Sequence, residues 1–571
     1  MRRTGTGPVL KVRAVAGLHV VMLAWDFKKK LTVTKGTALP DPLKDLMGFA
    51  ISRDELDKNG NVVESYVMRG IKRFKDKDQG LPPGTLVPFD EHPIQSFLWG
   101  DYTAKPRTTY EYTVTPVYGK PKKLDVRTDR ATSVTVTTEA EKAPAGASGI
   151  RHDVWFNRGV IGSQAYARRF SNQKPDPDKP DSAPMKWLSR GLFEALLEFI
   201  ADAEDERYAL RAAFYEFHYQ PVANALRKAV DAGVDVKIVY DAESSYKHEN
   251  MQTLTNAGLL HNDIQIPRTV TEGIRHNKFI VLLKNDKPVA VWTGSTNISA
   301  GGIFGHSNVG HVVRDPGVAK AFLDYWKRLA ANLTPGKLRE PNRTATPTPA
   351  KKPPKDSVLP LFSPRDPKDS VETLQWYADR MAEAKRLVCI TLAFNLDPVL
   401  SDALTPDSNV LRYIVKDDDL SATETIGSDR DLVFAVGGRF DEGALENFVA
   451  ERDNPLNSND YIHNKFLLVD PLGDDPLVVC GSANFSRPSQ TKNDENMLVI
   501  RGDTRVADIY FGEYMRVFDH HYARYVVRTL REQGDGDPNV GYLKDTADKW
   551  VRSYWNTNSY KEKRRRYFVE G

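Results

Sequence analysis

One short sequence, His-Asn-Lys-Phe, occurs twice in the chain, at residues 276–279 and 463–466. A Gly-Ser-x-Asn segment follows each copy, and its serine, Ser295 or Ser482, stands at the same spacing from the histidine in both cases. The two copies lie in stretches with one shared pattern, in which amphipathic helical segments alternate with apolar segments typical of buried strands. This repetition predicts that most of the chain folds as one α/β architecture used twice.

Residues 1–140 have a different pattern. Short segments rich in Val, Tyr, Thr and Phe are separated by turn residues, and Asp-Lys-Asn-Gly at 57–60 is a hairpin signal between two of them. Alternation places Tyr110, Tyr112 and Val114 on one face, as in a half-buried strand. These features together predict an antiparallel, all-β sandwich.

The domain organisation follows from these patterns and from the composition between them. At 571 residues the chain is too long for a single core. Residues 334–360 are rich in Pro, Thr and Lys, so we expect them to form no packed element. We divide the chain into a β-sandwich (1–140), a linker (141–152), a first α/β domain (153–333), a Pro- and Lys-rich linker (334–360), a second α/β domain (361–535), and a C-terminal helix with a basic, solvated tail (536–571).

The polar residues of each motif copy are spaced to share one face. Side chains at positions i and i+2 of a strand point the same way, which pairs His276 with Lys278 and Ser295 with Asn297. The second copy repeats this arrangement. Its residues are His463, Lys465, Ser482 and Asn484. If the two α/β domains pack with pseudo-twofold symmetry, both sets converge on one site.

This combination of side chains suits a phosphodiester substrate. Lysine ammonium groups and asparagine amides can stabilise charge on the non-bridging oxygens. One histidine can attack phosphorus and form a phosphohistidine, while the other protonates the leaving oxygen and then activates water. The histidine and lysine spacing does not form a metal shell and the motifs hold few carboxylates, so we expect neither a metal ion nor another cofactor.

With these motifs the sequence resembles the phospholipase D superfamily, whose members carry His-x-Lys-x4-Asp followed by Gly-Ser-x-Asn. The resemblance covers residues 153–535 and is complete in the second copy, where Asp470 takes the aspartate position. It implies two pseudo-symmetric α/β domains with the activity of a phosphoric diester hydrolase. In the first copy Leu283 stands where the aspartate is expected, so we assign Asp470 a supporting, structural role.

The resemblance also implies a downstream carboxylate that holds a catalytic histidine, and Glu495 matches it. Aligning Asn308 with Asn496 puts Ser307 at the equivalent place in the first copy. A carboxylate beside an imidazole raises the pKa of the ring. We therefore expect His463, paired with Glu495, to be the general acid and the first histidine to be the nucleophile. The opposite assignment stays open, because a carboxylate can also orient a nucleophile.

The N-terminal segment resembles a fibronectin type III domain. Trp25 matches the core tryptophan of the second strand of that domain, and Gly-Phe-Ala-Ile-Ser-Arg at 48–53 matches its third strand. Residues 109–114 match the penultimate strand, which carries the tyrosine corner. The resemblance supports the sandwich prediction and gives the segment a recruiting role in one of the functions considered next.

Three functions are compatible with the motifs. The first is a phosphodiesterase that releases a phospholipid head group, the second is a nuclease of the same superfamily, and the third is a catalytically silent binding protein. The complete polar sets disfavour the third. The chain has 80 basic and 76 acidic residues, and this net charge of +4 is too mild for a dedicated nucleic-acid binder. We expect a phospholipid substrate and contact with a membrane surface, with DNA or RNA as the alternative.

Assembly and location follow from simpler features. Two motif copies in one chain make a monomer sufficient for catalysis. No apolar run reaches the about 18 residues of a membrane helix, and no small-residue cleavage site follows apolar residues 16–25. We expect a cytoplasmic protein by default, while the sandwich resemblance leaves secretion open. Two cysteines, Cys389 and Cys480, are too few for a disulfide framework.

Overall fold

The structure is a computed structural model of the chain. It describes residues 1–146, 149–159, 162–394, 396–406, 408–419, 430–456, 462–532 and 541–570. Along this length an all-β region is followed by two α/β domains and a C-terminal helical segment. The predicted order of fold types is therefore confirmed.

The N-terminal region consists mainly of two antiparallel sheets. Its strands are β1 (Arg2–Thr6), β2 (Leu10–Ala16), β3 (Val21–Phe27), β4 (Leu46–Leu56), β5 (Val62–Val67), β6 (Arg69–Gly70), β7 (Val87–Pro88), β8 (Leu98–Asp101), β9 (Thr109–Lys120), β10 (Lys123–Val126) and β11 (Thr132–Thr137). One sheet has the order β1-β2-β3-β8, and the other has the order β10-β9-β4-β5 with β11 also paired to β9. Tyr110, Tyr112 and Val114 are buried in the core of this sandwich, as the alternation predicted, and Trp25 is buried with them.

The first α/β domain is built on a seven-stranded sheet. Its strands are β12 (Arg151–Phe156), β13 (Tyr208–Phe214), β14 (Asp235–Asp241), β15 (Gln265–Arg268), β16 (Lys278–Lys284), β17 (Lys287–Gly294) and β18 (Val309–Arg314). Its helices are α1 (Gln164–Phe170), α2 (Ala183–Ser189), α3 (Leu192–Ala201), α4 (Gln220–Asp231), α5 (Lys247–Asn256) and α6 (Pro316–Ala330). The strand order is β12-β18-β17-β16-β13-β14-β15, and β13 and β14 form the predicted parallel pair around α4.

Helix α7 (Pro335–Ala345) leads to a second seven-stranded sheet. The strands are β19 (Ser357–Ser363), β20 (Leu387–Leu392), β21 (Leu411–Lys416), β22 (Leu432–Val436), β23 (Phe466–Val469), β24 (Leu477–Gly481) and β25 (Glu495–Arg501). The helices are α8 (Pro367–Ala382), α9 (Pro398–Leu404), α10 (Arg487–Thr491), α11 (Thr504–Glu532), α12 (Asp548–Val551) and α13 (Tyr560–Glu570). The order β19-β25-β24-β23-β20-β21-β22 repeats the first sheet strand for strand, which confirms the predicted duplication. Across the described ranges no helix has the length and apolar character needed to cross a bilayer.

The three domains share one hydrophobic core. Val20 of the sandwich, Phe322 of α6, Phe466 of β23 and Phe511 of α11 belong to a single cluster of buried side chains. Helix α11 contacts strands of all three domains, including β2, β12 and β21. Burial of apolar surface is the main favourable term in folding, so the sandwich is an integral part of the structure and is not a module held only by its linker.

The second linker contains regular structure, which corrects the sequence-based expectation for residues 334–360. Helix α7 begins with Pro335, and proline suits a first helical turn because no N–H is needed there. Leu338 and Asn342 are fully buried, and the Asn342 amide donates to the Pro364 carbonyl at 3.1 Å. Strand β19 then starts at Ser357. Burial of one face of α7 stabilises this helix, although its amino-acid composition is typical of a linker.

The basic segment 561–566 is also not the solvated tail expected from its composition. It lies in α13, where Lys563 forms an ion pair with Asp431 and Arg565 forms one with Asp26. Phe568, in the same helix, is buried in the shared core. The helix therefore joins the sandwich to the second α/β domain, and two of its positive charges form ion pairs with these domains.

Candidate active site

The strand order brings the two motif copies together. His276 precedes β16 and Ser295 follows β17, so the antiparallel pair places both residues at the same end of the sheet. His463 and Ser482 have the same positions around β23 and β24. The two domains meet at these ends, where the backbone N–H of His463 donates to the Ser307 carbonyl at 3.2 Å. The pseudo-symmetric packing thus creates one site from two halves.

The two histidine rings approach each other across the domain boundary. The ring centroids of His276 and His463 are 6.4 Å apart, with an angle of 74° between the planes. Both residues are buried. Reacting atoms in a near-attack arrangement are about 3–3.5 Å apart, so groups on opposite sides of one phosphorus are separated by about twice that distance. The convergence expected from the repeat is therefore present, and the two rings are close enough for one phosphate to contact both.

Glu495 contacts the first histidine and not the second, which corrects the pairing expected from the sequence. His276 Nδ1 lies 2.9 Å from both carboxylate oxygens of Glu495. The carboxylate also accepts hydrogen bonds from the hydroxyl groups of Ser482 at 2.7 Å and Ser489 at 3.2 Å. Because Glu495 belongs to the second domain, the contact crosses the boundary, and an alignment of the two motifs alone does not reveal it.

The second histidine is held by an amide. His463 Nδ1 lies 3.0 Å from Asn308 Oδ1 and 3.1 Å from the Ser295 carbonyl. Asn308 stands as far along the chain from Ser295 as Glu495 stands from Ser482. In both domains the backbone N–H of the next residue donates to that serine hydroxyl. Asn308 is therefore the structural equivalent of Glu495, and the sequence alignment of the two asparagines is wrong by one position.

These contacts fix the tautomer of both rings. The Glu495 carboxylate can only accept from His276 Nδ1. Asn308 Oδ1 is identified as an acceptor because its Nδ2 donates to the Gly302 carbonyl at 2.7 Å. Each neutral ring therefore carries its proton on Nδ1, and Nε2 is left as the nitrogen available for attack or proton transfer.

Two buried lysines provide positive charge. Each ammonium donates to the backbone carbonyl of the histidine two residues earlier, at 2.6 Å for Lys278 and 2.8 Å for Lys465. Burial lowers the pKa of Lys278 to about 8, although the charges of Glu495 and Glu216 oppose this shift. A phosphate anion between the histidines would stabilise the charged form. Within the described ranges, no three His, Cys, Asp or Glu side chains are grouped as metal ligands would be.

The predicted serines and asparagines have different surroundings. The hydroxyl groups of Ser295 and Ser482 donate to the groups that hold the histidines, so the serines act as positioning residues. Asn297 Nδ2 donates to Glu216 Oε1 at 2.5 Å. Asn484 follows β24 as Asn297 follows β17, but the position equivalent to Glu216, two residues beyond β20, is the half-exposed Phe394. The two halves of the site therefore differ in charge.

Burial lowers the pKa of both histidines. The pKa of His276 falls to about 4, mainly because the ring is buried, and the Glu495 charge opposes the shift. The pKa of His463 lies well below its ordinary value because burial is reinforced by Lys465 and His306. The His306 ring stacks on His463 with 4.6 Å between centroids. Both rings are therefore neutral near pH 7 without substrate, and a bound phosphate anion would favour their protonated forms.

Asp470 lies away from the paired histidines and contacts the backbone. Its carboxylate accepts hydrogen bonds from the backbone N–H groups of Lys385, Arg386 and Leu387, at 2.8, 2.8 and 3.1 Å. These contacts lie beyond the end of β23 that is opposite to His463. The aspartate therefore holds the strand connections and takes no direct part in the site.

Three residues of the site were not found from the sequence. Asn308 carried a signal, because its spacing from Ser295 equals the spacing of Glu495 from its serine. His306 and Glu216 belong to no repeated motif. Their roles depend on which strands and loops become neighbours, so a single sequence gives no indication of them.

Comparison with known proteins gives one family and several distant structures. The family model described as "Cardiolipin synthase, PLD-like domain" matches residues 196–330 and 438–521. Phosphatidylserine synthase from Haemophilus influenzae is 14% identical, with 62% of this chain and 94% of that chain covered and a TM-score of 0.39. Polyphosphate kinase from Porphyromonas gingivalis is 10% identical, with 89% and 81% covered and a TM-score of 0.39. The phospholipase D family member Nuc from Salmonella typhimurium is 23% identical, with 32% and 95% covered and a TM-score of 0.22. No curated protein matches the sequence.

The family match agrees with the internal repeat. Its first segment contains His276 and its second contains His463, each with the Gly-Ser-x-Asn sequence that follows. The two sheets that carry these segments have the same strand order and place both motifs at one site. Residues 196–330 and 438–521 therefore match a phospholipase D-like domain, which supports the phospholipase D superfamily for the α/β part of the chain.

Proposed function

We propose that the protein is a phospholipase D-type phosphodiesterase that hydrolyses a phospholipid at its head group, with His276 as nucleophile and His463 as general acid. The observation that carries this proposal is the approach of the two rings to 6.4 Å with Nδ1 of each already engaged. Two imidazoles on opposite sides of one phosphate can perform attack and proton transfer in a single active site.

In the first step Nε2 of His276 attacks phosphorus while the bond to the leaving oxygen breaks. The ring becomes a cationic phosphohistidine as the N–P bond forms. Glu495, hydrogen-bonded to Nδ1–H, stabilises this developing charge. The nucleophile is the one that the sequence suggested, but the reason differs, because His276 has the carboxylate partner.

His463 takes up a proton on Nε2 when the phosphodiester anion binds, and it donates this proton to the leaving oxygen. Its partner Asn308 is a neutral amide that orients the ring. The amide adds no negative charge, which would raise the pKa of the ring and make proton transfer to the leaving oxygen harder. In the second step neutral His463 takes a proton from water as the water oxygen attacks phosphorus. The N–P bond breaks, a phosphate monoester is released and His276 returns to its neutral state.

The remaining polar groups stabilise the charge of the phosphoryl oxygens. The ammonium groups of Lys278 and Lys465 lie beside the two histidines, and Asn297 and Asn484 stand at equivalent positions in the two halves. Donors fixed before the reaction begins stabilise a transition state at little reorganisation cost. These groups supply the electrostatic contribution to catalysis.

A lipid substrate is supported by apolar groups near the site. Phe394, two residues beyond β20, is 48% exposed, and Ile274, two residues before His276, is 39% exposed. Exposed apolar side chains that form a contiguous patch often mark a binding surface. The proposal assigns both residues to contact with the apolar part of a phospholipid.

A substrate panel tests this proposal. Purified protein is incubated with phosphatidyl esters and with single- and double-stranded DNA, all in the presence of a chelator. We expect release of the head group, loss of activity in His276→Ala and His463→Ala, and full activity in His261→Ala, which alters an exposed histidine. Cleavage of DNA without head-group release would instead support the nuclease, and no turnover of any substrate would contradict the proposed activity.

A further inference from the structure

A large cavity lies between the sandwich and the C-terminal helix. Its volume is about 1110 Å³, and its walls are formed by residues 26–35 and by parts of the segment 552–570. None of the residues of the paired-histidine site lines it. Ligand sites in proteins have volumes of about 300–1,000 Å³, so the cavity can hold a complete small molecule.

The cavity is strongly basic. Its lining residues with a positive charge are Lys28, Lys29, Lys30, Lys35, Arg552, Arg565 and Arg566. Those with a negative charge are Asp26, Glu562 and Glu570. The excess of four positive charges equals the net charge of the entire chain, which is +4. The rest of the chain has equal numbers of basic and acidic residues, so the cavity lining is more basic than the chain as a whole.

The arginines that line the cavity form ion pairs, whereas its lysines form none within the described residues. Arg565 pairs with Asp26, Arg566 with Glu562, and Arg552 with Asp548. The acid Glu570 is paired outside the cavity. In the described part of the chain, none of the four lysines forms an ion pair. Like charges that share a concave surface repel each other, and a bound anion would relieve this repulsion.

The arginines give the cavity a fixed shape. Arg552 donates to the carbonyl groups of Thr34 and Thr37, at 3.1 and 2.6 Å, and so holds the lysine-bearing loop. The Arg565 guanidinium lies 4.2 Å from the centre of the Trp555 ring. A site whose walls are already held in place loses little conformational freedom when a ligand binds.

We propose that this cavity binds a soluble ligand with at least two adjacent phosphate groups, at a site separate from the paired histidines. One phosphate group carries about −1.5 to −2 charges near neutral pH, so neutralising four lysines requires at least two of them. The hydroxyl groups of Thr32 and Thr557 in the lining can donate to phosphate oxygens. A concave site of this kind admits a small polyanion but not the flat surface of a bilayer. The inference does not depend on the proposed phosphodiesterase activity.

Isothermal titration of the full chain with inorganic tripolyphosphate tests the proposal. We expect saturable binding that weakens as salt rises, because ions screen exposed charges. A triple variant, Lys29→Ser, Lys30→Ser and Lys35→Ser, should bind at least about tenfold more weakly, because it removes three of the four lysine charges that attract the anion. A matched variant of three exposed sandwich lysines outside the cavity, at positions 58, 122 and 123, should bind like the unmodified protein.

Two further measurements complete the test. His276→Ala should leave tripolyphosphate binding unchanged, which separates this site from the active site. Vesicles containing phosphatidylglycerol should not compete for tripolyphosphate. The proposal is overturned if the triple variant binds tripolyphosphate as tightly as the unmodified protein, if the active-site variant loses binding, or if the vesicles bind at the lysine loop in place of tripolyphosphate.

Discussion

The two halves of the active site hold the same four polar residue types but different partners for their histidines. His276 has the carboxylate of Glu495, and His463 has the amide of Asn308. A nucleophilic imidazole gains positive charge as its bond to phosphorus forms, whereas a general acid loses positive charge as it gives up its proton. In the proposed mechanism the carboxylate lies beside the ring that gains charge, and this asymmetry is the reason for assigning attack to His276.

The role of Asn308 leads to a prediction about pH dependence. In Asn308→Asp a carboxylate replaces the amide beside His463, which raises the pKa of that ring by about 1–3 units. A general acid must be protonated, so kcat falls as pH rises through its pKa, and a raised pKa moves this fall to higher pH. We expect the alkaline limb of the kcat profile to shift upward by at least about one unit.

A profile of kcat against pH measures this shift, with Asn308→Gln as the variant that keeps an amide. An alkaline limb that stays in place in Asn308→Asp, or moves to lower pH, would show that His463 is not the acid.

The sequence predicts which residues belong to the site better than it predicts which of them are in contact. All eight polar motif residues follow from the repeat, whereas the period-two alternation of strands applies to few of them, because all but Lys278 lie just outside strands. The contact between Glu495 and His276 joins residues 219 positions apart and depends on how the domains pack. The correct equivalence of Asn308 could have been found from its spacing to the motif serine, but its partner could not.

At the scale of elements, the strands around the motifs are well predicted and α7 is not. Apolar runs such as those of β16 and β23 are buried strands because their side chains are apolar on both faces. Helix α7 has a composition typical of a linker, with Pro341 inside the helix. Its formation depends on burial of Leu338 and Asn342 against neighbouring elements. Such tertiary contacts are not visible in local composition.

Asp470 provides a prediction at this scale. In Asp470→Ala the three backbone N–H groups at the start of β20 lose their acceptor. These hydrogen bonds are exposed or only partly buried, so water can replace the lost acceptor, and we expect the free energy of unfolding to fall by about 1 kcal/mol. Because the side chain is remote from the histidines, kcat of the folded protein should change by no more than a few-fold.

Urea unfolding and steady-state kinetics of the same preparation separate these effects. A loss of kcat by two orders of magnitude with unchanged stability would place Asp470 in the chemistry instead.

At the scale of the whole molecule, α13 joins two domains through buried ion pairs. Removing one partner of a buried pair costs about 3–5 kcal/mol, because the other charge stays buried without compensation. We therefore expect Lys563→Ala, which leaves the buried Asp431 without this ammonium, to lower the free energy of unfolding by about 3 kcal/mol. Lys549→Ala, on the same C-terminal segment but exposed, should change it by less than about 0.5 kcal/mol. Equal stabilities of the two variants in denaturant unfolding would contradict this role for α13.

Acid sensitivity is a second property of the whole fold. Burial lowers the pKa of His152 and His276 to about 4, from the ordinary value of 6.5. Between these values the unfolded chain takes up protons that the folded protein does not, so each histidine contributes stability that is complete above about pH 6.5 and is lost as pH falls toward 4. The contribution of one such group changes by up to about 1.4 kcal/mol per pH unit.

The variant His276→Gln removes the contribution of this one histidine to the pH dependence of stability. Buried carboxylates also titrate on acidification, but they are the same in both proteins. We expect the free energy of unfolding of the variant, followed by urea titration from pH 7 to 4.5, to fall less steeply on acidification than that of the unmodified protein. Identical slopes would show that His276 is not held neutral by the fold.

The most direct test of the account is to identify the histidine that forms the covalent intermediate. A radiolabelled p-nitrophenyl phosphodiester is useful here, because its leaving group departs without a general acid. In His463→Ala attack should proceed and hydrolysis of the intermediate should slow, so label should accumulate on the protein. Peptide mapping after a rapid quench should locate this label on His276. In the unmodified protein, label confined to His463, or steady turnover with no labelled histidine at any time, would contradict the two-histidine mechanism with His276 as nucleophile.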